Sequence, residues 1–249
     1  MGKLTEPSQD NAQTLLKAIK SQKAELIKQG KLRKEKPLAP IKPEEIPFEI
    51  PDNWVWCRLG DIAYITSGST PSSDSFVDNG IPYLKMYNLR NQKIDFGYKP
   101  QFIKEEVHNG QLKRCRAYSG DILMNIVGPP LGKIAIIPDT LPECNFNQAA
   151  VLIRPIFKDM NYYIYWFLNE MSQIKAIDTK GVAGQDNISV TQAHSIKIAI
   201  PPLSEQKAIV AKVEGLLGNI SLLESENKAQ QIDVQRLMGA VLQEAFGGK

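Results

Sequence analysis

The chain has 249 residues, of which 43% are hydrophobic, and its 30 Lys and Arg against 27 Asp and Glu give a formal net charge of +3. This hydrophobic content is sufficient for a packed core and excludes an intrinsically disordered chain. No apolar run is long enough to span a bilayer, and the N-terminus has no signal-peptide hydrophobic region, so we expect a cytoplasmic protein that makes no membrane contact.

The N-terminal segment, residues 1–40, is predicted to be a helix followed by a basic linker, with 9 Lys and Arg against 4 acidic residues. Residues 10–30 form the helix, and Gly30 ends it. Four positions follow a four–three–four spacing, namely Leu15, Ile19, Gln22 and Leu26. The following stretch KLRKEKPLAPIKPEEIP is charged and Pro-rich, which is typical of an extended linker.

The middle segment, residues 41–203, is predicted to be a domain of short strands broken by Gly, Pro, Asn and Asp. The strand-like stretches are WVWCRLGDIAYIT, GIPYL, GDILMNIVG, GKIAIIP, AAVLIRP and IKIAIPP. One amphipathic helix is predicted at 161–177. Its apolar face would carry Ile164, Phe167, Leu168 and Met171.

Residues 82–116 are locally basic, with eight Lys and Arg against three acids and with aromatic residues between them. The basic residues are Lys85, Arg90, Lys93, Lys99, Lys104, Lys113, Arg114 and Arg116. Such a cluster suits a phosphate backbone, and it equally suits the solvated face of an ordinary β-rich domain.

The last segment, residues 204–249, is predicted to be one long helix that pairs with another helix. Pro201 and Pro202 hold the chain extended, Ser204 is a good N-cap, and Glu205 lies where the helix dipole favours a carboxylate. The seam alternates steps of four and three residues. Its members are Ile209, Val213, Leu216, Ile220, Leu223, Asn227, Gln230, Val234, Leu237 and Val241. The polar layer at Asn227 and Gln230 either fixes the register of a pair or simply faces solvent.

Six stretches in one order carry a resemblance to a known family. They are WVWCRLGDIAYITSGSTP, GIPYLKMYNL, GDILMNIVGPPLGKIAII, FNQAAVLIRP, GQDNIS and IAIPPLSEQKAIVAKVEGLL. Together they resemble the specificity (S) subunit of type I restriction–modification systems, over nearly the whole chain. The resemblance implies an α+β fold, in which a mixed α/β target-recognition domain with a twisted sheet is flanked by long helices that form an antiparallel coiled coil.

One departure from the family is large, because a full-length S subunit resembles two recognition domains and two conserved helices in tandem. This chain resembles half of such a subunit, natural or truncated. A half-subunit can restore a two-domain reader as a homodimer, and two-fold symmetry then predicts a palindromic, bipartite DNA target.

The residues expected to contact DNA lie in polar loops, since Arg and Lys recognise guanine and phosphate, and Asn and Gln recognise adenine. Expected contacts are Ser69, Thr70, Lys85, Asn88, Arg90, Asn91, Lys93, Lys113, Arg114, Arg116, Lys133, Lys180, Gln185 and Asn187. Gln185 and Asn187 suit the capping of their own loop equally well.

The motifs argue against an enzyme. There is no Gly-rich cofactor loop with an NPPY-type tetrapeptide, as a methyltransferase would need. Pro138–Asp139 is far in sequence from the Glu205 and Lys207 that would complete a nuclease motif. His108 and His194 have no metal-ligand spacing and are expected at the surface, and Cys57, Cys115 and Cys144 are expected to be free thiols. We therefore expect no metal and no cofactor of its own.

The resulting expectation is a non-catalytic subunit that binds double-stranded DNA and docks methyltransferase (M) subunits and, through them, the restriction (R) subunit. The resemblance implies that S-adenosylmethionine, ATP and magnesium belong to those partners. The alternative is a coiled-coil adaptor or a truncated decoy S subunit that binds the methyltransferase without binding DNA.

Overall fold

The structure, a computed structural model, describes Thr5 and residues 10–128, 130–141, 143–170, 172–175, 177 and 187–247. Its chain divides into two compact units, Met1–Lys207 and Ala208–Lys249. The first unit contains the N-terminal helix together with all of the strands. The predicted Lys180 and Gln185 lie outside the described residues, as does Met171.

The described part of the chain combines helices with short strands, which confirms the α+β class. The helices are α1 (Ala12–Lys28), α2 (Leu59–Ile62), α3 (Glu105–Asn109), α4 (Asn161–Asn169), α5 (Ser172–Lys175), α6 (Val190–Ser195) and α7 (Leu203–Phe246). The strands are β1 (Val55–Arg58), β2 (Ala63–Ser67), β3 (Phe76–Val77), β4 (Ile81–Leu84), β5 (Leu89–Arg90), β6 (Lys93–Ile94), β7 (Phe102–Ile103), β8 (Arg116–Tyr118), β9 (Ile122–Asn125), β10 (Ile134–Ile136), β11 (Glu143–Phe146), β12 (Ala150–Pro155) and β13 (Lys197–Ile200).

The strands form several small sheets instead of a single one. An antiparallel sheet has the order β10-β9-β12-β2, and a mixed sheet has the order β3-β7-β4-β11-β8 with β4 and β11 parallel. Two antiparallel pairs, β1–β13 and β5–β6, complete the set. The two larger sheets share one hydrophobic core, in which Tyr83 and Phe146 of the mixed sheet meet Leu123 and Leu152 of the antiparallel sheet. A common core makes the sheets one folding unit.

The predicted helix 10–30 forms, but a different face of it is buried. Asn11 caps α1 by accepting a hydrogen bond from the Gln13 N–H at 2.7 Å. The positive φ of Gly30 ends the helix as predicted. The buried positions are Ala12, Leu16, Ile19 and Lys23, so of the predicted seam only Ile19 is buried.

Lys23 is buried on α1 because its ammonium is fully used. Its Nζ donates to the backbone oxygens of Gly60 and Ala63 at 2.5 and 3.0 Å and pairs with Glu35 at 2.7 Å. Hydrogen bonds to three acceptors offset most of the hydration free energy that the ammonium loses on burial. This contact ties α1 to α2.

The start of the long helix differs by one residue from the prediction. α7 begins at Leu203, so Ser204 lies in the first turn and is not the N-cap. Glu205 is buried and accepts hydrogen bonds from Trp54 Nε1 at 3.0 Å and Asn53 Nδ2 at 3.2 Å. The first turn of α7 is therefore held by side chains of the first unit, and the 44-residue helix has a rise of about 66 Å at the usual 1.5 Å per residue.

The predicted helix 161–177 is shorter than expected. α4 ends at Asn169, and α5 follows as a separate turn. Ile164 and Leu168 are buried as predicted, and Phe167 is half-buried. Among the described helices, none is long and apolar enough to cross a membrane.

Candidate nucleic-acid interface

Three of the predicted DNA contacts surround the tip of one β-hairpin. β5 and β6 pair antiparallel, with Arg90 opposite Lys93, so the loop between them has only two residues. Those residues, Asn91 and Gln92, have positive φ values of 48° and 57°. Arg90, Asn91 and Lys93 are exposed at this tip. A two-stranded ribbon of this kind is one of the elements that fit the major groove of B-DNA.

Arg90 is held by its neighbours. Its guanidinium carbon lies 4.0 Å from the ring centroid of Tyr98, and its Nε lies 3.7 Å from Asp95 Oδ2. Tyr98 in turn packs edge-on against Tyr87. Stacking and a carboxylate partner restrict the arginine side chain without burying it. An exposed, oriented guanidinium is suited to a phosphate or a guanine edge.

Asn88 has a different role from its neighbours. It is 1% exposed, its Nδ2 donates to the backbone oxygens of Asp95 and Tyr98, and its Oδ1 accepts from the Lys85 N–H. All of these bonds are between 2.8 and 3.0 Å. Since the amide is buried and engaged inside the protein, it holds the hairpin segment and is not available to DNA, which corrects the prediction that Asn88 contacts DNA.

A surface depression of about 640 Å³ brings Lys133 to the hairpin. The hairpin side is lined by residues that include Arg90 and Asn91, and the opposite side by residues 130–133. Lys133 is half-buried, and its backbone N–H donates to Asn125 Oδ1 at 2.5 Å. The fold thus places together cationic and amide side chains that are about forty residues apart in sequence.

Asn187 lies beside the same loop. It forms an antiparallel bridge with Val127, and the next residue, Ile188, donates its N–H to the Ile126 oxygen at 2.9 Å. Asn187 is exposed. It therefore joins the segment around 127–133, which also carries Lys133.

Ser69 and Thr70 form a second group, which is held by Tyr83. The Tyr83 hydroxyl donates to the Ser69 oxygen at 2.9 Å and lies 3.4 Å from Thr70 Oγ1. Burial raises the pKa of Tyr83 to about 12, so the hydroxyl remains a donor at neutral pH. A Cβ at Gly68 would clash with the Asn147 oxygen, so only glycine fits where this loop begins. Thr70 itself is exposed.

The remaining predicted cations differ in their exposure and in the contacts of their side chains. Lys113 and Arg114 lie on an exposed 3₁₀ turn. Lys85 is half-buried, with its Nζ 5.5 Å from the Phe76 ring centroid. Arg116 hydrogen-bonds Asn109 Oδ1 and lies 3.6 Å from Glu143 Oε1, so its half-buried guanidinium already has partners within the protein.

His108, expected at the surface, is buried. It is 2% exposed, with Nδ1 2.5 Å from Asn145 Oδ1 and Nε2 3.0 Å from Glu143 Oε1. Asn145 is fixed in turn, because its Nδ2 donates to the Leu112 and Cys115 oxygens at 3.0 Å. The expectation was wrong because no sequence spacing reveals that a residue of α3 finds its partners on β11.

All three cysteines are buried and free. Burial raises the pKa of each thiol above its ordinary value, which suppresses the reactive thiolate. They are core residues of the fold.

The seam predicted for α7 lies largely at the surface. Ile209 and Val213 are half-buried, and the other eight seam positions are exposed, with Leu237 reaching 67%. Exposed apolar residues adjoin the seam at Leu217, Met238 and Leu242. Several large apolar side chains on one helix are a feature of interaction surfaces.

Comparisons with known proteins agree on one family. A family model described as the type I restriction modification DNA specificity domain matches residues 51–233. The chain is 31% identical over 228 residues to the type I restriction enzyme EcoAI specificity subunit of Escherichia coli, covering 87% of this chain and 38% of that protein. It is 29% identical over 243 residues to the EcoEI specificity subunit of Escherichia coli, covering 93% of this chain and 40% of that protein.

A solved structure shows the same fold. The HsdS subunit from Thermoanaerobacter tengcongensis superimposes with a TM-score of 0.59 at 22% identity, over 95% of this chain and 54% of that one. The chain spans about two fifths of the length of the EcoAI and EcoEI specificity subunits.

Proposed function

Because the chain belongs to the type I restriction–modification DNA specificity family, we propose that it reads DNA sequence for a type I complex and has no catalytic activity of its own. The observation that carries this proposal is the family match, which covers residues 51–233 and so extends through the sheets into α7. The geometry supports it with an exposed hairpin and a neighbouring loop that present cations and amides together.

The proposed DNA surface has a centre and a flank. Its centre is the hairpin tip with Arg90, Asn91 and Lys93, joined by Lys133 and Asn187. Thr70 and the exposed cations Lys113 and Arg114 form the flank, where phosphate contacts would position the duplex. Lys180 and Gln185 remain proposed contacts on the sequence pattern alone.

The proposed partners bind elsewhere on the chain. The exposed seam of α7 would pair with the same helix of a second copy, giving a homodimer with two reading units and hence a bipartite target. The helices would also dock methyltransferase subunits and, through them, the restriction subunit in the cytoplasm. S-adenosylmethionine, ATP and magnesium would be held by those subunits.

The proposal is tested by DNA binding at several salt concentrations, with and without methyltransferase subunits. Duplexes enriched by the chain from a randomised pool should bind more tightly than unrelated duplexes, and affinity should fall steeply with salt because phosphate contacts release counterions. Methyltransferase binding with no enriched sequence and no DNA dependence would instead identify the adaptor or decoy.

A further inference from the structure

Backbone conformations that L-residues rarely adopt are concentrated at the proposed reading site. Within the described ranges, the non-glycine residues with positive φ are Asn91, Gln92 and Lys99, all in one stretch of nine positions. Asparagine tolerates this region, whereas glutamine and lysine pay a conformational cost there. Strain of this kind persists only where surrounding contacts impose it, and it is concentrated at functional sites.

Gln92 is held on both its side chain and its backbone. Its Oε1 accepts a hydrogen bond from the Ile134 N–H at 2.8 Å, and its backbone oxygen accepts from the Tyr165 hydroxyl at 3.0 Å. Ile134 belongs to β10, which is an edge strand, and Tyr165 belongs to α4. The turn is thus fastened to a sheet edge and to a helix by one residue.

The identity of this residue runs against local preference. A two-residue hairpin loop with positive φ at both positions favours Asn followed by Gly. The first position follows that preference and the second does not, since Gln92 stands where glycine would be free of strain. A glycine could not supply the acceptor that Ile134 uses.

The neighbouring amide is free. Asn91 is exposed, and its side chain has no hydrogen-bond partner among the residues that the structure describes. An asparagine amide can pair with N6 and N7 of adenine in the major groove. The loop therefore consists of one fastened residue and one available residue.

We propose that Gln92 is a positioning residue that fixes the hairpin against β10 and α4, and that it thereby presents the Asn91 amide to an adenine edge in the target DNA. This inference rests on the proposed function. It predicts that removing the Gln92 side chain and removing the Asn91 side chain weaken the preference at the same base pair. Only the loss of the Gln92 side chain should loosen the turn.

Two glycine variants at adjacent positions provide a matched test, because both relieve the positive φ. Gln92→Gly removes the oxygen that accepts from Ile134 and keeps the Asn91 amide. Asn91→Gly removes that amide and keeps the Gln92 acceptor. The full chain would be measured for amide hydrogen exchange at Ile134 and for binding to an enriched duplex and its single-base-pair variants. Gln92→Gly should speed Ile134 exchange about tenfold or more, whereas Asn91→Gly should leave it unchanged.

Both variants should lose about tenfold in preference at one shared A·T pair, with unrelated duplex bound as before. Gln92→Glu keeps an acceptor of the same reach and should restore both Ile134 protection and the preference. Since the added negative charge weakens binding to every duplex through the phosphates, the preference is compared as a ratio of two affinities. Tyr165→Phe, which removes the other bond and leaves Gln92 in place, should weaken the preference in part.

The outcomes separate the inference from its premise. If the wild-type chain enriches no DNA sequence, the proposed function fails and the inference fails with it. If the wild-type chain discriminates and Gln92→Gly discriminates equally well, only the positioning role is wrong. A Gln92→Glu variant that restores Ile134 protection but not the preference would also overturn it.

Discussion

Asn88 shows how one buried amide organises an exposed segment. Its three hydrogen bonds join the backbone at Lys85, Asp95 and Tyr98, which lie before and after the hairpin. The amide therefore closes the base of the loop from which Arg90 and Lys93 emerge. Asn88 therefore stabilises the hairpin, and it would affect the proposed DNA recognition only by holding Arg90 and Lys93 in place.

Asn88→Ala should lower the free energy of unfolding by about 1–3 kcal/mol, because it leaves buried backbone groups without partners. Urea unfolding followed by circular dichroism measures this directly. Gln111→Ala is the matched control, since it removes an exposed amide and should change stability by less than about 0.5 kcal/mol. Equal effects of the two substitutions would contradict the structural role.

Arg90→Ala combined with Lys93→Ala should weaken DNA binding while leaving the fold intact, because both side chains are exposed. Each lost phosphate contact should reduce the slope of log affinity against log salt by about 1. Gel shift at several salt concentrations provides the slope. Lys17→Ala with Lys28→Ala removes the same charge from the exposed side of α1, and an equal loss there would assign the effect to net charge.

For single residues, the sequence predicts the burial of apolar side chains better than the burial of polar ones. Ile164 and Leu168, predicted on the apolar face of a helix, are buried. By contrast, Asn88, Arg90 and Asn91 are alike as polar loop residues, and only their tertiary partners divide them. His108 was placed wrongly for the same reason, since both of its partners come from β11.

Elements were predictable where their hydrophobic pattern is long enough. All six strand-like stretches contain strands, including β9, β10, β12 and β13. The hairpin β5–β6 was not predicted as strands, because each has only two residues and no alternation can develop. The sheet partners of every strand also came only from the structure, since register depends on contacts distant in sequence.

The α1 face illustrates a second limit at the element scale. Its four–three–four spacing favoured Leu15, Gln22 and Leu26, but Lys23 is the side chain that enters the core. A lysine at a buried position is not expected from hydrophobic periodicity. It becomes favourable because its ammonium donates hydrogen bonds to the backbone oxygens of Gly60 and Ala63 and pairs with Glu35.

Leu216→Asp with Leu223→Asp should abolish self-association through α7, because pairing would bury carboxylates that have no partner. Sedimentation velocity measures the change in oligomeric state. Ser221→Asp with Ser225→Asp adds the same charges to exposed positions outside the seam and should leave association unchanged. An unaltered oligomer in the leucine variant would show that the seam is not the contact.

For the whole molecule, the two larger sheets share a core, and the polar loops at their margins hold the proposed DNA contacts. The family and its α+β class could be predicted from the order of six stretches. The division of the chain between Lys207 and Ala208 depends on tertiary contacts, which the sequence does not show. These contacts place α1 in the same unit as the sheets.

The molar mass in solution should be about twice the 27.8 kDa of one chain, or two copies should be found in the complex with methyltransferase subunits. The physical reason is the row of exposed apolar side chains on α7, which a second helix would cover. Light scattering on the full chain gives the mass. A monomer both alone and in the complex would contradict the homodimer.

The two-residue turn at Asn91 also bears on how the proposed DNA preference can change over generations. Asn91 is exposed and bonds nothing in the described fold, so a mutation there leaves the packed interior as it was. Natural selection could therefore alter which sequence is read by a single codon change, while Gln92 keeps the turn in place. The cost in stability would be confined to the positive φ of Asn91, because no packed contact is lost.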